Sequence, residues 1–314
     1  MDSERRIMEM FSEKSVVCVG GSNMDIQGFS TAPINMRDSN PGEIRLCPGG
    51  VGRNIAENLA RLGARVKMIS AVGEDPFGEM ILKSCQNAGM DISDIEVIPN
   101  ARSSSYLVLT DRDGDMLAAI SDMHIIKNLG PEFIRRHSDS LDHADAIVLD
   151  PNLSPAALEE LTSRWCRKPL FADPISTTYA RVLKQFQSRL HMIKCNLQEA
   201  EIFADMLISS ESDVERAADT ILTAGTQCVV ITAGKNGVFY KDRNGLKIRR
   251  KHEPLEPVSA TGAGDSFTAA MVYGWLRGFS AEDSVELAMK AAEITLMDPL
   301  TVSPKISSLS LRTD

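Results

Sequence analysis

The chain reads as an α/β fold: a mostly parallel central sheet covered by helices on both faces, with a small second β-sheet attached. Three observations predict this. From about residue 144 onward, short apolar, β-branched runs alternate with amphipathic stretches of helical period, the pattern of parallel strands joined by crossover helices. The first such run, residues 15–20 (SVVCVG), is apolar and β-branched along its length, as a strand buried on both faces is. Residues 26–48 and 103–121 break the pattern, with extended pieces, prolines and turn signals and no helical period.

The elements follow in order. Residues 15–20 (SVVCVG) are a buried strand that delivers Gly21-Ser22-Asn23-Met24-Asp25 at its C-terminal end, where open α/β sheets bind ligands. Pro48-Gly49-Gly50-Val51-Gly52-Arg53-Asn54 opens a helix marked by Ile55, Leu59 and Leu62 and closed by Gly63. Residues 66–72 form a strand and 76–88 a helix. Residues 103–110 and 116–120 form a hairpin around Asp111-Arg112-Asp113-Gly114-Asp115. Strands follow at 144–149, 170–173, 191–195 and 228–232, and helices at 154–164, 177–186, 196–206 and 213–224. Residues 237–240 and 245–250 fit an antiparallel hairpin. Helices from Gly264 and over 281–296 complete the chain.

Composition narrows the function. With 314 residues, 43% hydrophobic and 25% charged, the chain can bury a large core and is expected to be soluble and globular. A net charge of −9 argues against general binding to nucleic acid or an anionic membrane. A polyanionic ligand would need local backbone dipoles, a metal and a few basic groups. No apolar run approaches the roughly 20 residues of a membrane span, and the first 14 residues form a polar extension rather than a signal peptide. The six cysteines form no C-x-x-C pair, so free thiols and a cytoplasmic location are expected and a zinc site is not.

Four stretches carry chemistry. Thr261-Gly262-Ala263-Gly264-Asp265 places two glycines and a carboxylate at a helix start, whose free N–H groups attract phosphate. The same residues also fit a plain loop with an aspartate cap. Asn23 and Asp25 suit a hydroxylated ligand, or a turn. Asn196 and Glu199 follow a strand three residues apart, which suits orienting metal-bound waters and equally suits a capping box. Thr232, Gly234 and Gly237 follow a strand and suit either a nucleotide contact or a hairpin entry. There is no G-x-x-x-x-G-K-[ST] and no H-R-D or D-F-G, which excludes P-loop enzymes and protein kinases.

Taken together, PGGVGRNIAENLARLG (48–63) and TGAGDSF (261–267) resemble the two defining motifs of the ribokinase (PfkB) carbohydrate kinases, with the Asn-x-Asp pair and Asn196-x-x-Glu199 in the family's order. The resemblance covers about 15–300 and implies a ribokinase-like three-layer α/β/α fold over 15–314. It also implies that the small β-sheet, from about 26–48 and 103–121, acts as a lid and as a homodimer interface. Within the family the chain resembles the members that act on pseudouridine, through Asp38-Ser39-Asn40-Pro41-Gly42, Gly49-Gly50-Val51-Gly52-Arg53-Asn54, Ser104-Ser105-Tyr106-Leu107 and Asp173-Pro174-Ile175-Ser176. A sugar kinase, an adenosine- or uridine-type kinase and a silent binding protein are the alternatives. Where the family carries an Asp-Thr pair before its glycine motif, this chain has Ser259 and Ala260, so the resemblance does not extend to the monovalent-cation site.

The resemblance further implies ATP and Mg²⁺. Asp265 would take the proton of a primary hydroxyl. The N–H groups of Gly262, Ala263, Gly264 and Asp265 would receive developing charge, and Asn196 and Glu199 would hold the metal through water. Asn196, Thr232, Gly234, Gly237 and Thr261 would contact the nucleotide. Asn23, Asp25, Gly49, Gly50 and Asn54 would hold ribose hydroxyls, with Ser39, Asn40 and Tyr106 near the base. A carboxylate in a helix's first turn is stabilised as an anion, so the pKa of Asp265 is not expected to be high.

Overall fold

The computed structural model of the protein describes residues 14–113, 115–252 and 255–309. The polar extension expected over 1–14 therefore lies outside the described residues, apart from Lys14. In chain order the elements are β1 (Ser15–Val19), β2 (Asn23–Ser30), β3 (Gly42–Gly49), α1 (Val51–Arg61), β4 (Arg65–Gly73), α2 (Pro76–Asn87), β5 (Asp91–Ile98), β6 (Ser104–Thr110), β7 (Met116–Asp122), α3 (Pro131–Arg136), α4 (Ser138–His143) and β8 (Ala146–Leu149). They continue with α5 (Pro155–Arg164), β9 (Leu170–Ala172), α6 (Thr177–Leu183), β10 (Met192–Asn196), α7 (Leu197–Ala204), α8 (Glu211–Thr223), β11 (Cys228–Thr232), β12 (Val238–Asp242), β13 (Lys247–Arg250), α9 (Ala263–Arg277) and α10 (Ala281–Leu296).

Among the described residues the strands form two sheets. The larger has nine strands in the order β13-β12-β11-β10-β9-β8-β1-β4-β5, parallel except where β12 and β13 join antiparallel. Strand alternation sends Val17 and Val19 to one face of the sheet, whose core they share with Phe133, Leu158, Phe203 and Ile221 of α3, α5, α7 and α8. Val16 and Cys18 point to the other face, under Ile55 and Leu59 of α1, Ile81 of α2, and Phe267 and Val285 of α9 and α10. The result is the expected three-layer arrangement.

Two parts of this fold were not read from the sequence. β5 is an edge strand whose register against β4 shifts between Lys67 and Ile69, so its apolar residues lose strict alternation. Helices α3 and α4 have six residues each, too short to display a helical period.

The smaller sheet has the order β3-β2-β6-β7. Its strand β2 begins at Asn23, directly after the loop leaving β1, so the hydroxyl-binding candidates start the strand rather than sit in a turn. Asp25 pairs with Cys47 on β3 and with Tyr106 on β6, which puts all three side chains on one face. The opposite face carries Leu46, Ile26, Leu107 and Ile120 in one row and Ile44 and Leu109 in the next. Ile44 is 77% exposed and Ile120 65%, so this face is an open apolar surface.

Candidate active site

The parallel strands end along one edge, and their C-terminal ends deliver a row of polar groups. Asp150 follows β8, Asp173 follows β9, Asn196 ends β10 and Thr232 ends β11. Helix α9 starts above this row. Its N-cap, Gly262, has φ +86, and a Cβ there would lie 1.9 Å from the Thr301 carbonyl oxygen, so the turn requires glycine. The first intrahelical bond is Ser266 N–H to Gly262 O at 2.9 Å. The N–H groups of Ala263, Gly264 and Asp265 precede it and form the open end of the helix dipole.

Asp265 is buried at 9% exposure. Asn54, on the first turn of α1, donates from Nδ2 to Asp265 Oδ2 at 2.8 Å, which joins the two glycine motifs in space. Lys194 donates to Asp173 Oδ2 at 2.7 Å, and Thr268 of α9 donates to the same oxygen at 2.8 Å. A Cβ on Gly264 would lie 2.7 Å from Lys194 Nζ, so the glycine lets this ammonium sit directly beneath the helix start.

Burial pushes the Asp265 carboxyl up to about 7, and the nearby Asp173 charge adds to this; Asn54 and Lys194 pull it back, and Asp150 raises it further. The expectation of an ordinary, low value is therefore corrected. In the first turn of a helix the dipole favours the anion, but desolvation and neighbouring carboxylates outweigh it here. Burial alone would lower the Lys194 pKa, yet Asp173, with Asp265 and Glu199, raises it above the ordinary range. Asp150 is raised by burial although the N–H groups of Asn152 and Gly21 oppose this.

On one side of α9 a cavity of about 430 Å³ runs along the helix start. Ala263 and Gly264 line its polar end together with Thr232, Gly234 and Gly237, while Leu255, Phe267 and Met289 form apolar walls. Thr261, exposed, stands just before the helix and donates its N–H to Ser259 Oγ at 3.3 Å. Gly237 is held at φ +92 against Arg250, where a Cβ would lie 1.9 Å from the carbonyl oxygen. Asn23, Asp25, Gly49 and Gly50 lie together at the turn that opens α1, the helix whose Asn54 reaches Asp265. Asn23 donates to Asp25 Oδ1 at 2.6 Å, and a Cβ on Gly49 would meet Asp25 Oδ2 at 2.3 Å. Burial raises the Asp25 pKa, while Asn23 and the Arg53 charge lower it.

Asn196 and Glu199 do form a capping box: Glu199 N–H donates to Asn196 Oδ1 at 2.9 Å and Asn196 N–H to Glu199 Oε2 at 2.8 Å. Glu199 is buried, which raises its pKa, and its Oε1 takes no hydrogen bond from a described residue. Ser39 and Asn40 are not brought to the site. They lie beyond the Ser30–Gly42 end of the β2–β3 hairpin, about 23 Å along the strands from Asn23 at a strand rise near 3.3 Å per residue. Asn40 also spends its amide on the loop: Oδ1 accepts from Asn35 N–H at 2.7 Å, and Nδ2 donates to Asn35 O and Asp38 O at 3.0 Å each. Conversely, Arg53, Asp150, Lys194 and Thr268 belong to the site's framework and were not singled out from the sequence. For Asp150 a signal existed, since it ends an apolar strand run as Asp173 does.

The family model described as pfkB family carbohydrate kinase matches residues 13–307. The chain is 34% identical over 292 residues to a pseudouridine kinase of Escherichia coli, covering 93% of each chain. It superposes on a putative sugar kinase from Clostridium perfringens with TM-score 0.85 at 32% identity, covering 95% of each chain. It also shares its fold with Arabidopsis thaliana ribokinase complexed with ribose and ATP, at TM-score 0.77 and 19% identity, over 97% of this chain and 100% of that one. The chain is therefore a ribokinase-like member of the pfkB carbohydrate kinase family, a phosphotransferase that acts on a hydroxyl group of a carbohydrate or nucleoside.

Proposed function

We propose that this kinase transfers the γ-phosphoryl group of ATP to the 5′-hydroxyl of pseudouridine. The observation that carries the reading is the place of Asp265: a buried carboxyl near neutrality, at an open helix N-terminus, between an apolar slot and a hydroxyl-binding pair. The similarity to a pseudouridine kinase supports the choice of nucleoside.

The adenine occupies the slot walled by Leu255, Phe267 and Met289, with Thr232, Gly234, Gly237 and Thr261 at its polar rim. Its phosphates reach the N–H groups of Gly262, Ala263, Gly264 and Asp265, preorganised donors that meet charge as it develops. Asn23, Asp25, Gly49, Gly50 and Asn54 hold the ribose. Tyr106, in register with Asp25, lies beside the base. Asp265 accepts the 5′-OH proton. A base with a pKa near the working pH suits this transfer, and a loose phosphoryl-transfer transition state lets the proton leave late.

The donor set fits magnesium held through water. Glu199 Oε1 takes no hydrogen bond from a described residue, and Asn196 is exposed beside it. When bound, magnesium would neutralise charge on the phosphates. The small sheet closes over the acceptor as a lid, and its outer apolar face, with Ile44 and Ile120, meets a second copy of the chain. Six free thiols suit a reducing cytoplasm, and among the described residues no helix is long and apolar enough to cross a membrane.

The test is a side-by-side measurement of kcat/KM for pseudouridine, uridine, adenosine and ribose with ATP. The reading predicts pseudouridine as the best acceptor. A ribose or adenosine constant equal to or above that for pseudouridine would overturn it.

A further inference from the structure

We propose that Arg53 is a positioning residue that acts through Asn54 to hold the carboxylate of Asp265 in place. This rests on the reading of Asp265 given above. Arg53 is 1% exposed, and each of its three guanidinium nitrogens donates a hydrogen bond. Nε donates to Gly49 O at 3.0 Å and Nη2 to Pro48 O at 2.8 Å. Nη2 also donates to Asn54 Oδ1, and Nη1 donates to Glu57. Glu57 is gripped from its other side by Arg61, whose Nε and Nη2 donate at 2.9 and 2.6 Å.

The consequence is chemical. A guanidinium has donors and no acceptor, so the Asn54 amide must turn its oxygen toward Arg53. Its Nδ2 then faces Asp265 Oδ2. Without Arg53 the amide is free to flip, and a flipped amide sets a carbonyl oxygen against a carboxylate. The same fork closes on the carbonyls of Pro48 and Gly49, whose turn packs against Asp25. One side chain thus ties the acceptor-binding turn to the proton-accepting group. A lysine offers a point charge without the planar fork and does not replace it.

The groups around Asp265 are Asn54 on α1, Asp150 after β8, Asp173 after β9 and Lys194 on β10. Asn54 is the hydrogen-bond donor among them that favours the anion. Losing its proper orientation moves the acid limb of kcat/KM to higher pH, by about one unit for a lost hydrogen bond to a charged group.

The experiment compares pH profiles of kcat/KM for the wild type, Arg53→Met, Asn54→Ala and the double variant, with thermal midpoints alongside. The expected result is an alkaline shift of the acid limb in Arg53→Met, with kcat/KM at pH 7 about fivefold lower, and a double variant whose limb coincides with that of Asn54→Ala. An unshifted limb in Arg53→Met, or shifts that add in the double variant, would overturn the inference. If Arg53→Met does not fold, Arg53→Lys is read by the same criteria. Asp265→Asn separates the two levels: an active Asp265→Asn removes the underlying reading, whereas an inactive one beside an unshifted Arg53→Met limb removes this inference alone.

Discussion

At the scale of single residues, Asp265 shows where local chemistry and tertiary burial disagree. Its sequence context, the first turn of a helix, favours the anion. Its surroundings in space, Asp150 and Asp173 behind it and little water, favour the neutral acid, and they prevail. The sign for stability follows. The folded pKa, about 7, lies above the ordinary aspartate value, so the unfolded chain releases this proton first as pH rises. Asp265 therefore costs stability progressively from about pH 4 to pH 7 and no more beyond. Asp265→Asn is expected to be more stable than the wild type, by a margin that grows across that window and then levels off, as thermal midpoints from pH 4 to 8 will show. A margin independent of pH would contradict this. None of it was visible in Thr261-Gly262-Ala263-Gly264-Asp265, because Asp150, Asp173 and Lys194 come from separate strands. Asn40 shows the opposite case: its turn was legible in Asp38-Ser39-Asn40-Pro41-Gly42, but a sequence does not say at which end of a hairpin a turn lies relative to the site.

At the scale of elements, α9 unites the fold with the chemistry. Its apolar period was legible, because Phe267, Met271 and Trp275 recur at helical spacing. Its close packing against α10 was not. A Cβ on Gly274 would lie 2.3 Å from Ser284 Oγ and 3.2 Å from Ser284 Cα, so the two helices meet over a glycine. Gly274→Ala gains helix propensity but overpacks the crossing. The net expectation is a loss of about 1–2 kcal/mol, read from the denaturant midpoint. A stabilised variant would show that the crossing yields. The capping box of α7 was legible in the spacing of Asn196 and Glu199. Asn196 and Glu199 cap the helix, and the cap takes up only Oε2 of the Glu199 carboxylate.

At the scale of the whole molecule, the order of strands and crossovers was largely readable, since buried parallel strands announce themselves as apolar runs. The edge strand β5 and the short α3 and α4 were hidden by a register shift and by their brevity. The small sheet was seen as a β excursion, and the structure adds its two faces, one polar toward Asp25 and one apolar toward solvent. If the apolar face joins two copies, Ile44→Glu with Ile120→Glu should convert a dimer to a monomer in light scattering, while a monomeric wild type would reject the interface. The proposed phosphoryl transfer turns on Asp265 as the group that receives the acceptor's proton. Turnover of pseudouridine by Asp265→Asn, measured beside its affinity for ATP, tests this most directly. The account predicts a fall in kcat of about 10²–10⁴ with ATP binding unchanged; wild-type turnover would contradict it.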